Sequence, residues 1–334
     1  RQVQRRGCSS AEPPHKDRPL VRRHKWLERW SPCPMLKWPR VSWPKGSTLN
    51  ALCGQIALHL EWMDKPFIDL DALIASKNPR LLRVLPRWVM RYLKRIIHQE
   101  EVNDFMARHK DEHAIAFSQS VIREFNITLT VKGLEHVPAS GGYVFASNHP
   151  LGGMDAMAIV AALAPVRHDI KFIVNDLLLH LHNLRDIFVG VNKHGKTGAG
   201  SLLSVDELFA SHQAVFVFPA GLVSRKQNGK IEDLEWKKTF ITRAKKHGKA
   251  IVPVYVDGRN SNFFYNLSRL RTGLGIKANI EMLYLVDEMY RQQNQSFSII
   301  FGKPIPAEVF TKDKTDAEWA QWMKQQVYSL AKKR

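Results

Sequence analysis

Short apolar runs alternate with helical patterns from residue 127 onward, and that alternation limits the fold more tightly than any other feature of the chain. Residues 127–132, 142–147, 170–174, 187–192, 214–218, 250–257 and 297–302 read as strands. Residues 155–163, 176–184, 201–211, 236–247 and 316–331 read as helices, and Ser204 with Glu207 forms a capping-box pair if the 201–211 helix starts late. Strands that return by way of helices pair in parallel. The expected fold over 126–334 is therefore α/β, a mostly parallel central sheet flanked by helices. Such sheets hold ligands where strands end and turn into helices.

An N-terminal amphipathic helical segment is expected before it, at 63–125. Leu81, Leu82, Leu85, Trp88, Val89, Tyr92, Leu93, Ile96 and Ile97 recur at helical spacing, with Arg83, Arg87, Arg91, Lys94 and Arg95 between them. Pro86 either kinks this helix or divides it. A basic helix bearing Trp and Tyr suits a membrane interface, and equally suits a surface helix packed on its own domain. A second helix is expected at 102–125. His109, Glu112 and His113 fall close together on it; the pattern fits a solvated face, and no metal is expected.

Residues 1–62 read differently. They hold seven of the 17 prolines, five of the nine tryptophans and all three cysteines (Cys8, Cys33 and Cys53), with little periodicity. The expectation is a basic extension, disordered or foreign to the protein, with Met63 as the native start; the rival reading is a Trp-bearing membrane tether. The cysteine spacings match neither a zinc site nor a CxxC pair.

The net charge of +19 is divided between the two parts: 12 Lys and Arg against 4 Asp and Glu in residues 1–62, and 38 against 27 in the remainder. A field of that sign favours anionic partners such as nucleic acid, lipid headgroups or phosphorylated substrates. No run approaches the ~18–20 apolar residues that a bilayer span needs, and no signal-peptide pattern is present.

Two strand ends carry the chemistry. The strand Tyr143-Val144-Phe145-Ala146 leads to Ser147-Asn148-His149-Pro150-Leu151-Gly152-Gly153-Met154-Asp155. An imidazole there can take a proton from a hydroxyl at neutral pH, more readily if a carboxylate holds its other nitrogen. Asp155 is the candidate, with the glycines free to turn it back, although it also suits a helix N-cap. There is no Gly-x-Ser-x-Gly elbow, so attack by the substrate's own hydroxyl is the simpler scheme. The second end is Val215-Phe216-Val217-Phe218 running into Pro219-Ala220-Gly221, then Ser224, Arg225 and Lys226. Turn amides and an arginine there can hold an anion; the plainer alternative is a Pro-Gly turn with solvated cations.

Together these segments resemble the glycerolipid acyltransferase superfamily, typified by lysophosphatidic acid acyltransferases. That family carries Asn-His-x4-Asp, then Phe-Pro-Glu-Gly-Thr-Arg-Ser, then a Val-Pro-Val-like strand. Here the counterparts are Asn148-His149 with Asp155, Phe218 to Arg225, and Ile251-Val252-Pro253-Val254. His-Pro-Leu-Gly-Gly and Phe-Pro-Ala-Gly-x-x-Ser are similar to the hemolysin-like, bacterial aminolipid O-acyltransferase branch, as are Gly258-Arg259-Asn260-Ser261 and Leu270-Arg271-Thr272. Five residues rather than four separate His149 from Asp155, and Ala220 stands where the family has Glu. The family's intervening Gly…Arg block is represented only by Gly190-Val191-Asn192-Lys193.

The resemblance implies acyl transfer from an acyl thioester, on acyl carrier protein or coenzyme A, to a lysolipid hydroxyl, the lipid being a lyso-amino-acid lipid or lysophosphatidic acid. His149 would be the general base and Asp155 its orienting partner. Asn148 and Phe218, Pro219, Ala220, Gly221 and Ser224 would shape the site, with Arg225 and Lys193 on the acceptor's anionic head. No cofactor is implied. The expected location is peripheral, on the cytoplasmic face of the inner membrane, with the basic helix on its anionic surface. Two other readings stay open: a non-catalytic lipid-binding membrane adaptor, and a basic nucleic-acid-binding protein, for which no reading motif is present.

Overall fold

The structure is a computed structural model that describes residues 66–190, 205–227 and 229–333. It opens with five helices: α1 (Leu70–Lys77), α2 (Pro79–Val84), α3 (Arg87–Ile96), α4 (Gln99–Arg108) and α5 (Ala114–Glu124). The amphipathic stretch is helical and divided, at Pro86 as the sequence allows and at Asn78 and His98 besides, and local chemistry says where. Asn78 ends α1 and accepts from the Leu81 amide to cap α2, whose first residue is Pro79. Pro86 occupies the N-cap of α3. His98, in the left-handed region at φ 48°, separates α3 from α4, and Ala114 at φ 45° opens α5. The helix expected over 102–125 is broken by that second kink.

After these come β1 (Thr128–Lys132), β2 (Tyr143–Ser147), α6 (Gly153–Leu163), β3 (Ile170–Val174), β4 (Phe188–Gly190), α7 (Val205–Ala210) and β5 (Ala214–Val217). A small hairpin, β6 (Arg225–Gln227) and β7 (Lys230–Glu232), precedes α8 (Thr239–Lys246) and β8 (Ile251–Asp257). Last are α9 (Asn262–Gly273), α10 (Leu285–Tyr290), β9 (Ser296–Phe301) and α11 (Asp316–Leu330). The helix expected at 176–184 is instead two 3-10 turns, Asp176–His180 and His182–Leu184. Asn175 caps the first by accepting from the Leu178 amide, and a short link of this kind closes through i→i+3 bonds more easily than through full α-turns. The α9–α10 excursion and the β6–β7 hairpin were not anticipated from the sequence. Ser204, offered for a capping box, lies outside the described residues, as do Lys193 and residues 1–65.

Among the described residues seven strands form one sheet in the order β1-β9-β8-β2-β5-β3-β4. Five of them, β8-β2-β5-β3-β4, run parallel, while β9 is antiparallel to β8 and carries β1 parallel to itself. The mostly parallel α/β architecture is thus present. Side-chain alternation sorts the core onto two faces, as a period of two requires. Phe145 and Phe216 join α5 and α6 on one face. Val144, Ala146, Val215 and Val217 join Trp236, α8 and α11 on the other.

Four phenylalanines line up between the sheet interior and its reactive end. Phe216 stacks on Phe145 at 4.3 Å and on Phe172 at 4.8 Å, and Phe172 stacks on Phe218 at 5.9 Å between centroids. Phe216 is the middle of that row and fully buried. Phe216→Ala should lower unfolding free energy by about 3–5 kcal/mol, measured by urea denaturation. A loss below about 1 kcal/mol would mean that the row repacks freely.

Candidate active site

The five parallel strands point their carboxyl ends to one edge, and the two motifs meet there because β2 and β5 are adjacent. Beyond Ser147 the strand β2 no longer pairs through its backbone. Asn148 takes over with its side chain: Nδ2 donates to the Val256 carbonyl at 2.8 Å, and the Val256 amide donates to Oδ1 at 2.7 Å. The amide group copies one rung of a β ladder, so Asn148 is a buried fixture between β2 and β8.

His149 then turns out of the sheet. Its Nδ1 lies 2.9 Å from Asp155 Oδ2, and the same oxygen accepts from the Leu151 amide at 2.9 Å. Gly152, at φ 72°, forms the N-cap of α6 and permits the sharp turn that brings Asp155 back. Asp155 is fully buried; burial pushes its carboxyl up, opposed by the hydrogen bond and charge of His149 and by the Leu151 amide. An ionised carboxylate only accepts, so against an ionised Asp155 it is Nδ1 that donates, which turns Nε2 away from the carboxylate. The imidazole stacks on Phe218 at 4.0 Å, and its side chain keeps 18% exposure. The ring is held by Asp155 and Phe218 and keeps a small part of its surface open.

The second strand end is a tight turn. The Gly221 amide donates to the Phe218 carbonyl at 2.9 Å, with Gly221 at φ 68°. The Pro219 carbonyl accepts from the Lys237 amide at 3.1 Å, and Ala220 is buried against the α8 face. The Ser224 amide donates to the His149 carbonyl at 2.9 Å, which ties the two turns together.

Behind both turns lies a residue that sequence reasoning missed. Asp233 is fully buried and gathers four segments. Its Oδ1 accepts from the His149 amide at 3.2 Å and from the Ser224 hydroxyl at 2.6 Å, and its Oδ2 from the Trp236 indole at 2.9 Å. Its own amide donates to the Tyr328 hydroxyl at 2.8 Å. Burial pushes this carboxyl up too, while the Ser224 and Trp236 donors hold it back. No spacing in the sequence marks Asp233, because apart from the nearby Trp236 its partners Ser224, His149 and Tyr328 are 9, 84 and 95 residues away.

Arg225, expected on an anionic substrate head, points inward. It donates to Glu281 Oε1 at 2.9 Å and to the Val223 carbonyl at 2.5 Å, and lies over the Phe264 ring at 5.0 Å. Arg271 Nε stands 2.8 Å from the other oxygen of Glu281. Burial pushes Glu281 up, but its own backbone amide and the two guanidinium groups outweigh that and hold it below the usual carboxylate range. His109 pairs with Glu112 at 3.0 Å beneath Asn183, whose amide donates to the carbonyls of both. Far from being a solvated face, this cluster is packed. No metal-ligating group of three or more residues is found among the described residues.

Residues 72–333 match the family described as Acyltransferase. The chain belongs to that family. As an acyltransferase it is 44% identical over 266 residues to the lyso-glycine lipid O-acyltransferase of Bacteroides thetaiotaomicron, covering 79% of this chain and 97% of that one. It is 42% identical over 264 residues to the enzyme of the same description from Phocaeicola vulgatus, covering 79% and 95%. Among solved structures it is similar to the 1-acyl-sn-glycerophosphate acyltransferase PlsC of Thermotoga maritima, with a TM-score of 0.43, 16% identity, and 78% and 96% coverage.

Glu281→Gln leaves two buried arginines without a counter-charge and should cost this acyltransferase about 3–5 kcal/mol at pH 7. A carboxyl with a lowered folded pKa contributes stability above its unfolded value and loses it as pH falls through the folded one. The gap between wild type and variant, followed by denaturant titration, should therefore close as pH drops below about 4.5.

Proposed function

We propose that the protein moves a fatty acyl group from an acyl thioester to the hydroxyl of a lyso-amino-acid lipid of the glycine type. The buried Asp155–His149 pair at the shared strand edge carries this reading, and the headgroup is taken from the names of the two relatives. His149 Nε2 accepts the proton of the lipid hydroxyl while the oxygen attacks the thioester carbonyl. The tetrahedral centre collapses with rupture of the C–S bond, and the thiolate leaves with the proton returned by His149. Asp155 holds the ring in the productive tautomer and stabilises the imidazolium that forms in transit. The Phe218–Gly221 turn and Ser224 form the wall beside the imidazole, and Asn148 fixes the strand end beneath it. Arg225 positions the neighbouring segment through Glu281.

Either acyl carrier protein or coenzyme A can present such a thioester, and the chemistry at His149 is the same for both. The missing carboxylate at Ala220, together with the inward turn of Arg225, favours a carboxylate-bearing aminolipid over a phosphate-bearing acceptor. Neither a metal nor an organic cofactor has a step in this scheme. The seat proposed for the enzyme is the membrane surface, since its acceptor lives there; among the described residues no helix is long and apolar enough to cross a bilayer.

The test is transfer from radiolabelled acyl carrier protein and acyl coenzyme A to lyso-glycine lipid and lysophosphatidic acid. His149→Ala should reduce turnover at least about a thousandfold with folding intact, and Asp155→Asn should lower kcat more than it raises KM. Unchanged turnover in His149→Ala would sink the mechanism. Vesicle binding by a folded wild-type protein that transfers to no acceptor would favour a non-catalytic adaptor.

A further inference from the structure

The chain between β8 and β9 leaves the sheet at Gly258 and returns at Ser296, and in between it leaves several apolar side chains largely exposed. Leu270 is 61% exposed and Leu274 66%, with Phe263, Ile276 and Leu283 also open. A second exposed set lies on the N-terminal helices, where Val84 is 78% and Trp88 71% exposed. Single exposed leucines are ordinary on a protein surface and need no account. Contiguity is the informative property.

The two sets meet. The Tyr92 hydroxyl of α3 is 2.7 Å from that of Tyr284, and Phe263 of α9 packs edge-on against the Tyr284 ring at 4.9 Å. Just past the end of α3, His98 Nε2 lies 3.1 Å from Asp287 and its ring stacks on Tyr290 at 4.0 Å. The first helices and the 262–290 excursion thus share a seam, with exposed apolar groups on both sides of it.

Charge follows the same outline. Residues 72–99 contain seven Lys and Arg and no Asp or Glu, and residues 258–280 contain four and none. Arg83, Arg87, Arg91 and Arg95 are exposed on one side of the seam, Arg269 and Lys277 on the other. A crevice of about 470 Å³ opens among α1, α2 and α3, where Leu82, Leu85 and Met90 line it beside Arg87, Arg91, Lys94 and Asp71, the last paired with Lys94. Apolar side chains set among cations that outnumber the acids match a surface that is anionic above and hydrocarbon below.

We infer that the 262–283 excursion is the second half of a membrane-docking face whose first half is α2 and α3, and that its occupant is an anionic bilayer surface. The excursion is bolted to the catalytic turn as well. Asn260 Nδ2 donates to the Pro150 carbonyl at 3.1 Å, one residue from His149, and Arg225 grips Glu281 at the base of the excursion. A bilayer that seats this face thereby lies next to the turn that carries the imidazole. The inference rests on the lipid-acceptor reading for its purpose, but its test does not depend on turnover.

The experiment is co-sedimentation of the full chain with vesicles of phosphatidylglycerol and phosphatidylcholine, and with phosphatidylcholine alone. Two double variants, Leu270→Asp with Leu274→Asp and Val84→Asp with Trp88→Asp, replace exposed side chains only, and thermal melts check their folding. Val309→Asp, an exposed position beside the α11 face, is the control. Each double variant should lose about tenfold or more in partitioning to anionic vesicles, toward the wild-type level on neutral ones, and the control should not. Wild-type partitioning by the Leu270/Leu274 variant would overturn the proposal. So would a variant that still binds vesicles but loses transfer from acyl carrier protein alone, since the patch would then dock the carrier. A wild type that binds vesicles through both halves yet transfers no acyl group would defeat the proposed reaction and leave this face standing.

Discussion

The side chain of Asn148 does what a backbone would do if β2 continued, and the active site depends on that substitution. By bonding both polar groups of Val256, it keeps β2 and β8 joined one step past the last paired residues, Ser147 and Val254. The main chain is then free to leave the sheet at His149 without stranding buried donors and acceptors. Every other contact of the imidazole follows from that exit point. Asp155 reaches it because Gly152 lets the chain double back, Phe218 reaches it because β5 is the next strand, and Asp233 pins its amide from beneath. Two buried carboxylates flank one histidine in different ways. Asp155 meets the ring, whereas Asp233 meets the backbone, so one holds the imidazole and the other fixes where it sits.

That division explains which parts of the site could be read in advance. His149 and Asp155 are six residues apart, close enough for a turn to join them, and the strand–turn–helix grammar around them is local. The parallel core was equally legible, since strand alternation and crossover helices are written within short windows. Asp233 and Glu281 were not legible, because each is defined in part by a remote partner, Tyr328 for one and Arg225 for the other, beside nearer ones such as Trp236 and Arg271. The same remoteness misled the reading of Arg225. A cation after a Pro-Gly turn looks available for a ligand until its acid, 56 residues further on, is seen.

The N-terminal helices show the converse limit. Their apolar period was evident, and periodicity cannot tell a stripe that faces its own core from one that faces outward. The structure uses the pattern both ways: Met90 and Ile96 are buried, while Trp88 and Val84 project into solvent. Breaks at Asn78, Pro86 and His98 make this possible, because each short helix can rotate its apolar side independently of the next.

The antiparallel pairing of β8 with β9 has a consequence for how this molecule can change over generations. Antiparallel neighbours need only a two-residue connection, so nothing in the sheet requires the long stretch from 258 to 295. Loop closure costs rise only slowly with length, and the strand pairing would tolerate this stretch being lengthened, trimmed or exchanged. Yet Asn260 joins it to the turn that bears His149, and Glu281 joins it to Arg225 beside that turn. The architecture thus offers a cassette beside the His149 turn, through which descendants of one ancestor could change the surface they visit without altering the sheet that holds that turn.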